Sequence, residues 1–281
     1  MLTIKYREHF FISGSLKGLP PMPQDWNPQA YLNFATQRNR PALELLSHIL
    51  HRPAQHITDL GCGAGNSTAL LREVWQHAHI TGVDNSPNML AAARENLPSC
   101  EFIQQDFHDW CSDVPQDVIF ANASLQWSPE PETLFSHIIE QLAPNGVLAI
   151  QMPDNLNEPS HRLMNEVAQL PQWRTTMQQV ASRPNILKVH DSYDIFVKNH
   201  CRVDTWHTVY HHVLPDVASI AQMFASTALR PYLACLDETQ QFEFQEIYIQ
   251  KLQQYYPKQY DGQILLSLPR LFIVAEKVQA A

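Results

Sequence analysis

Asp59-Leu60-Gly61-Cys62-Gly63-Ala64-Gly65 sets one acid and three alternate glycines directly after an apolar run that begins at Ile57, and Asn66-Ser67-Thr68 then opens a helical pattern. Glycine in such a loop gives the tight turn its positive φ and leaves no Cβ between the backbone and a ligand lying across it. Asp84, with Asn85 beside it, follows a second apolar run from His79 to Val83. It stands at about the 20-residue offset of a carboxylate that grips a ribose diol. The chemistry implied is recognition of a nucleoside cofactor. A nicotinamide or flavin site would want G-x-G-x-x-G, with room for a pyrophosphate on the helix N-terminus. The tighter spacing here favours S-adenosyl-L-methionine, which carries no phosphate.

A glycine turn alone can be no more than a strand-to-helix connection, so the other strand ends carry the argument. Phe102 to Phe107 reads as a third strand ending in Asp106 and Phe107, and Asp117 to Ala123 as a fourth ending in Asn122 and Ala123. In an open parallel sheet, ligands bind outside the carboxyl ends of the strands near the topological switch point, so these groups should meet in one crevice. Metal chemistry is disfavoured. His211 and His212 are neighbours in an apparent strand and point to opposite faces, and no H-E-x-x-H or H-x₃-H spacing occurs.

The elements that must position these groups follow from periodicity. Pro28 suits the first turn of a helix opening near Asp25, and Pro41 the start of another, carried by Leu43, Leu45, Leu46, Ile49 and Leu50. A helix from Ser67 to Trp75, one beginning at Ser86-Pro87, and strands at Gly146–Met152, Val203–His211 and Arg270–Ala275 complete the rhythm. It predicts an α/β fold: a doubly wound, seven-stranded, mostly parallel sheet. Residues 154–200 and 213–262 have helical period and do not fit the minimal alternation. With residues 25–50 they are expected to form a helical cap over the strand ends. Residues 1–24, with Gly14, Gly18 and Pro20-Pro21-Met22-Pro23, read as a flexible lead-in, and Met22 is the expected native start.

Composition bounds the function. The 281 residues, 44% hydrophobic, suffice for one large core with elaborations. A net charge of −9 with only 19 Lys and Arg argues against nucleic acid or an anionic membrane surface as the main partner. Five cysteines with no C-x-x-C pair suit a reducing compartment. No apolar run approaches the length of a membrane span, so a cytosolic location is expected.

Asp25-Trp26-Asn27-Pro28, Arg38-Asn39-Arg40-Pro41-Ala42, the glycine loop, Ala121 to Trp127, Gln151-Met152-Pro153-Asp154-Asn155, Leu229-Arg230-Pro231 and Pro269 to Ala275 together resemble the bacterial trans-aconitate 2-methyltransferases. These belong to the Rossmann-like class I S-adenosylmethionine-dependent methyltransferases. The likeness runs from about residue 25 to 277 and weakens around 170–188. It implies methyl transfer to a carboxylate of trans-aconitate, a small tricarboxylate, with S-adenosyl-L-homocysteine as the other product. It also implies that Gly61, Gly63 and Gly65, with Asp59, approach the methionine portion of the cofactor. Asp84 with Asn85 should meet its ribose, Asp106 with Phe107 its adenine, and Asn122 with Ala123 the sulfonium. Arg40 is expected on the methionine carboxylate. Gln126, as a neutral donor, and Trp127 are expected at the reacting centre. For the acceptor, Trp26 and Tyr31 are expected to wall the pocket and Arg230 and Arg270 to clamp carboxylates, with Tyr193, Arg162 and His190 behind them. The same framework could methylate another carboxylate, such as a malonyl group on an acyl carrier, or serve as a cofactor-binding regulator without turnover.

Overall fold

The structure, a computed structural model, describes residues 35–178, 180 and 185–278. The lead-in, Met22, the helix expected near Asp25, and with it Trp26 and Tyr31, lie outside the described residues, as does the side chain of Arg38. Seven strands of the described residues form one sheet: β1 (His56–Leu60), β2 (His79–Asp84), β3 (Glu101–Gln104), β4 (Gln116–Asn122), β5 (Leu142–Pro153), β6 (Cys201–Leu214) and β7 (Ile264–Lys277). Their order is β3-β2-β1-β4-β5-β7-β6, with β7 antiparallel to both neighbours and the other pairings parallel. The order reverses between β1 and β4, which makes that gap the switch point where an open sheet holds its ligand. The α/β class expected from the rhythm is the fold found.

Helices cover both faces. On one face α1 (Ala35–Ser47) and α2 (Asn66–Val74) bury Leu45, Leu46, Ile49 and Leu71 against Ile57, Val118, Phe120, Ala149 and Phe272. Pro41, expected at a helix start, sits inside α1. Burial of Ala42, Leu45, Leu46 and Ile49 on one side outweighs the backbone bond that proline cannot donate. On the other face α4 (Pro131–Glu140) and α7 (Val189–Lys198) stack Phe135 on Phe196 and cover Ile119, Leu148, Ile150, Leu271 and Ile273. The fourth helix along the sheet, α3 (Pro87–Asn96), is opened by Pro87 in its first turn and by the Ser86 hydroxyl, which accepts from the Met89 N–H.

β5 pairs with β7 only through Arg270–Glu276, whereas β6 and β7 run on together from Val209 and Pro269 to Leu214 and Ile264. The two-stranded ribbon extends beyond the carboxyl end of β5. One face of it, through Leu214, Ile264, Leu266 and Leu268, builds a separate core with α5 (Pro159–Ala168), α6 (Arg174–Met177), α8 (Ala218–Ala225), α9 (Arg230–Leu233) and α10 (Glu238–Leu252). This ribbon explains why β6 and β7 are longer than their periodicity suggested. Of the segments expected above the strand ends, α7 packs instead with α4 on the sheet, because its apolar side matches the face opposite α1.

Candidate active site

The loop after β1 bends through left-handed φ at Gly61, Gly63 and Gly65, at +74°, +54° and +88°. The glycines meet different surroundings. A Cβ on Gly61 would lie 2.2 Å from the Cβ of Ser124, whose hydroxyl donates to the Leu60 carbonyl at 2.6 Å, so the loops after β1 and β4 are locked together. A Cβ on Gly63 would meet nothing within 4 Å. Its N–H donates to Asp84 Oδ2 at 2.9 Å, and the Ser86 N–H donates to Oδ1 at 2.9 Å, which fixes the carboxylate beside that open space. Behind the loop, Asp59 is fully buried, and its Oδ2 accepts from the Ser67 and Thr68 hydroxyls, both at 2.7 Å. Its Oδ1 is buried without a partner. Burial pushes the Asp59 carboxyl up to about 6, against the two hydroxyl bonds and with a push from the Asp84 charge.

At the end of β3, Asp106 Oδ1 accepts from the His108 N–H at 2.9 Å and pairs with His108 Nδ1 at 2.7 Å. Burial opposes the Asp106 charge, but the bonds from His108 and the Asn85 side chain outweigh it and hold the carboxyl below its usual range. Phe107 lies alongside, tilted on the His108 ring at 4.6 Å. At the end of β4, Asn122 Oδ1 is buried without a partner, and Ala123 holds a left-handed φ of +56° that a non-glycine residue adopts rarely. That turn is braced: the Ala123 N–H donates to the Gln151 carbonyl at 2.9 Å, and Gln126 Nε2 donates to the Ala123 carbonyl at 2.7 Å. Gln126 is itself buried. One of the two hydrogens of its amide nitrogen therefore holds the turn. Trp127, 40% exposed, ends the same short turn.

The other expected side chains do not all converge. Strand pairing puts Arg270 opposite Pro153 of β5 and Thr208 of β6. Thr208, Tyr210 and His212 alternate along β6 on the face covered by α1. From α1, the Arg40 guanidinium lies over the Tyr210 ring, 4.9 Å from its centroid. Arg40 and Arg270 thus stand at one place. Burial, reinforced by the charges of Arg270 and Arg40, holds His212 down to about 4. Glu44, one helical turn after Arg40, accepts from Trp206 Nε1 at 3.0 Å, Thr208 Oγ1 at 2.5 Å and the Tyr210 hydroxyl. Arg230 opens α9 within the upper core. Tyr193, 46% exposed, lies on α7, across the sheet from Arg270, so it is not brought to this cluster. Arg162 faces Tyr255, and His190 pairs with Asp191 in solvent.

A model of the methyltransferase domain matches residues 51–215. The trans-aconitate 2-methyltransferase of Klebsiella pneumoniae (strain 342) is 50% identical over 257 residues, covering 90% of this chain and 98% of the relative. The chain belongs to the trans-aconitate 2-methyltransferase family. A family member from Yersinia pestis (strain Pestoides F) is 47% identical over 253 residues, with the same coverage. Solved methyltransferases share the fold at much lower identity. A putative methyltransferase of Bacillus halodurans C-125 matches with a TM-score of 0.58 at 11% identity, over 85% of this chain and 99% of that one. A Haemonchus contortus phosphoethanolamine N-methyltransferase 2, solved with S-adenosylhomocysteine, gives 0.52 at 18% identity, over 85% and 52%.

Against this family framework, sequence reasoning passed over Glu44, His212, Ser124 and the hydroxyl pair on Asp59. The signal for the first two was present: Trp206, Thr208, Tyr210 and His212 form a two-residue polar and aromatic period, and Arg40 and Glu44 share one helix face. Among the described residues, no group of three or more His, Cys, Asp or Glu is placed to hold a metal ion, and no helix is long and apolar enough to cross a membrane.

Proposed function

We propose that this protein transfers the methyl group of S-adenosyl-L-methionine to a carboxylate of trans-aconitate, giving a monomethyl ester and S-adenosyl-L-homocysteine in the cytosol. Support for the acceptor comes from relatives at 47–50% identity that carry that name. The observation that carries the cofactor side is the open space at Gly63, flanked by a carboxylate that two backbone N–H groups hold in place. The residues fit the group: Asp84 and Asn85 for ribose hydroxyls, Asp106 and Phe107 for adenine, Gly61 to Gly65 with Asp59 behind them for the methionine portion. S-adenosyl-L-methionine supplies, when bound, a methyl made electrophilic by its sulfonium.

The protein's own tasks follow from the acceptor's chemistry. A carboxylate of ordinary pKa near 4 is already ionised at neutral pH, so no side chain need remove a proton. What remains is alignment and exclusion of water from an anion whose hydration opposes attack. Anion and sulfonium neutralise each other as the bond forms. A guanidinium on the attacking oxygen would therefore stabilise the ground state more than the transition state. Arginines belong on the carboxylates that do not react, with neutral groups at the one that does. Support for such a neutral donor comes from Gln151, the register partner of Asn122 on β5, which is fully buried with both amide atoms unpartnered, so that its Nε2 has hydrogen bonds to give. Arg230 and Arg270 supply positive charge, Trp127 walls the pocket, and the Gln126 brace keeps the Asn122-Ala123 turn in its strained form.

The test is methyl transfer from labelled S-adenosyl-L-methionine to trans-aconitate, run beside cis-aconitate, citrate, isocitrate and a malonyl acyl carrier. Selective labelling of trans-aconitate into a base-labile product is expected. Labelling of only another acceptor would move the substrate, and cofactor binding without labelling would refute turnover.

A further inference from the structure

Asp106 receives more support than a loop turn requires. The His108 N–H, donating to Asp106 Oδ1 at 2.9 Å, closes an ordinary Asx turn. A second bond to the same oxygen, from His108 Nδ1 at 2.7 Å, is not part of that turn. The Asn85 side chain, from the loop after β2, also bonds the carboxylate, so groups from two loops fix its plane. The Asp106 side chain nevertheless stays 42% exposed, so these partners do not enclose it.

In a neutral imidazole one nitrogen donates and the other accepts, and the partner of one sets the state of the other. His108 Nε2 lies 2.9 Å from Ser128 Oγ. Ser128 is buried, and its Oγ already accepts from the Glu130 N–H at 3.2 Å. The hydroxyl proton of Ser128 therefore goes to Nε2, which leaves the ring hydrogen on Nδ1, aimed at Asp106. Ser128 belongs to a different loop. It closes the short turn after β4, where its N–H donates to the Leu125 carbonyl at 3.1 Å, whereas Asp106 follows β3, and β2 and β1 lie between those strands in the sheet. Phe107 supports the ring from the side, tilted on it at 4.6 Å and packed against the core that contains Trp110 and Leu125.

We propose that His108 is a positioning residue for the cofactor's base: it presents the Asp106 carboxylate to the exocyclic amine of adenine, in the tautomer that Ser128 selects. This rests on the reading of Asp106 at the adenine. A base with an amine at that position donates to the fixed carboxylate, whereas one with a carbonyl there meets it oxygen to oxygen and is rejected. A carboxylate that can turn away discriminates less, because its lone pairs no longer stand where that oxygen would lie. His108 thus sets selectivity for the base rather than affinity for the cofactor as a whole.

The experiment measures, by calorimetry on the full chain, affinities for S-adenosyl-L-homocysteine and for its hypoxanthine analogue S-inosyl-L-homocysteine, and reads their ratio. The proteins are wild type, Asp106→Ala, His108→Ala, His108→Asn, Ser128→Ala and the doubles Asp106→Ala/His108→Ala and His108→Asn/Ser128→Ala, each with its melting temperature. Wild type should prefer adenine by about 10- to 100-fold, the span of a hydrogen bond to a charged group. Asp106→Ala should remove that preference, and His108→Ala should lower it by about 3- to 10-fold, a part of the same span. His108→Asn, whose amide nitrogen replaces Nδ1 but offers no counterpart of Nε2, should return to within about twofold of wild type. Ser128→Ala should lower the preference on its own and leave it unchanged beside His108→Asn. Adding His108→Ala to Asp106→Ala should change the ratio no further. A His108→Ala protein that melts lower and binds both ligands more weakly, with the wild-type ratio, would show a role in folding alone and overturn the proposal. A wild-type ratio in Asp106→Ala would overturn the placement of Asp106 at the adenine and the role of His108 with it, whereas a fall in Asp106→Ala without one in His108→Ala would overturn only the latter.

Discussion

Alanine at Gly61 and alanine at Gly63 differ by one residue type at two positions of one loop, yet they should fail in different ways. Each forces a Cβ into left-handed backbone, at about 1–2 kcal/mol. At Gly63 nothing further is met within 4 Å. At Gly61 the new Cβ would sit 2.2 Å from that of Ser124, so the β4 loop must move. Overpacking of this kind costs about 1–3 kcal/mol. Displacing Ser124 also loses its bond to the Leu60 carbonyl, about 0.5–1.5 kcal/mol. Gly61→Ala should therefore cost roughly 2.5–6.5 kcal/mol against about 1–2 for Gly63→Ala, from the sum of those terms. At about 2–4 °C per kcal/mol, melting of the ligand-free protein should fall by roughly 5–26 °C and 2–8 °C respectively. Binding should rank the other way for its size of effect: Gly63→Ala, nearly as stable as wild type, should lose at least about tenfold in S-adenosyl-L-homocysteine affinity, because its methyl occupies the ligand's space. Removing the opposing Cβ in Gly61→Ala/Ser124→Gly should recover part of the melting loss. Melting of Gly63→Ala as low as that of Gly61→Ala, or wild-type affinity of Gly63→Ala for S-adenosyl-L-homocysteine, would refute this account.

Other expectations are simpler to check. Asp84→Ala frees the Gly63 and Ser86 N–H groups together, and calorimetry should find S-adenosyl-L-homocysteine affinity down by about 10- to 100-fold, as for loss of charge-assisted bonds. Ser124→Ala leaves the Leu60 carbonyl without its donor and should cost about 1–2 kcal/mol in urea unfolding, with no change in acceptor preference. Asp59 is raised from 3.8 to about 6 in the fold, so the folded state binds the extra proton between those values and the ligand-free protein loses stability as pH rises through that window. Asp59→Asn removes that cost: its stability advantage over wild type should grow from pH 4 to pH 7 towards an upper limit of about 3 kcal/mol, and a difference that is flat with pH would contradict the burial account. Trp127→Ala should raise the acceptor KM several-fold while leaving S-adenosyl-L-homocysteine binding alone, which steady-state kinetics and calorimetry can separate.

What could be read in the chain was what depends on local order. Three alternate glycines after β1 announce the turn because positive φ is a property of each residue, and the acids after β2 and β3 follow from where apolar runs stop. The doubly wound, seven-stranded, mostly parallel sheet followed from alternation. The cluster around Arg270 was less legible because it is assembled by register. Nothing near Arg270 in sequence says that Thr208 lies opposite, and nothing near Arg40 says that its turn-mate Glu44 is tied to β6. The bracing role of Gln126 was hidden for a related reason: nothing local to it says that the left-handed turn at Ala123 takes a hydrogen bond from its amide. Tyr193 misled because helical period does not tell which face of the sheet a helix will cover.

The β6–β7 ribbon is common property of the sheet and of the helical layer above it. Loosening the upper helices strips cover from Leu214, Ile264, Leu266 and Leu268 while β6 and β7 remain paired below. Neither layer buries its apolar side without that spine. Amide exchange in α8 and α10 is therefore coupled to the pairing of β6 with β7, and a substitution that weakens the pairing below should speed exchange in the upper helices as well.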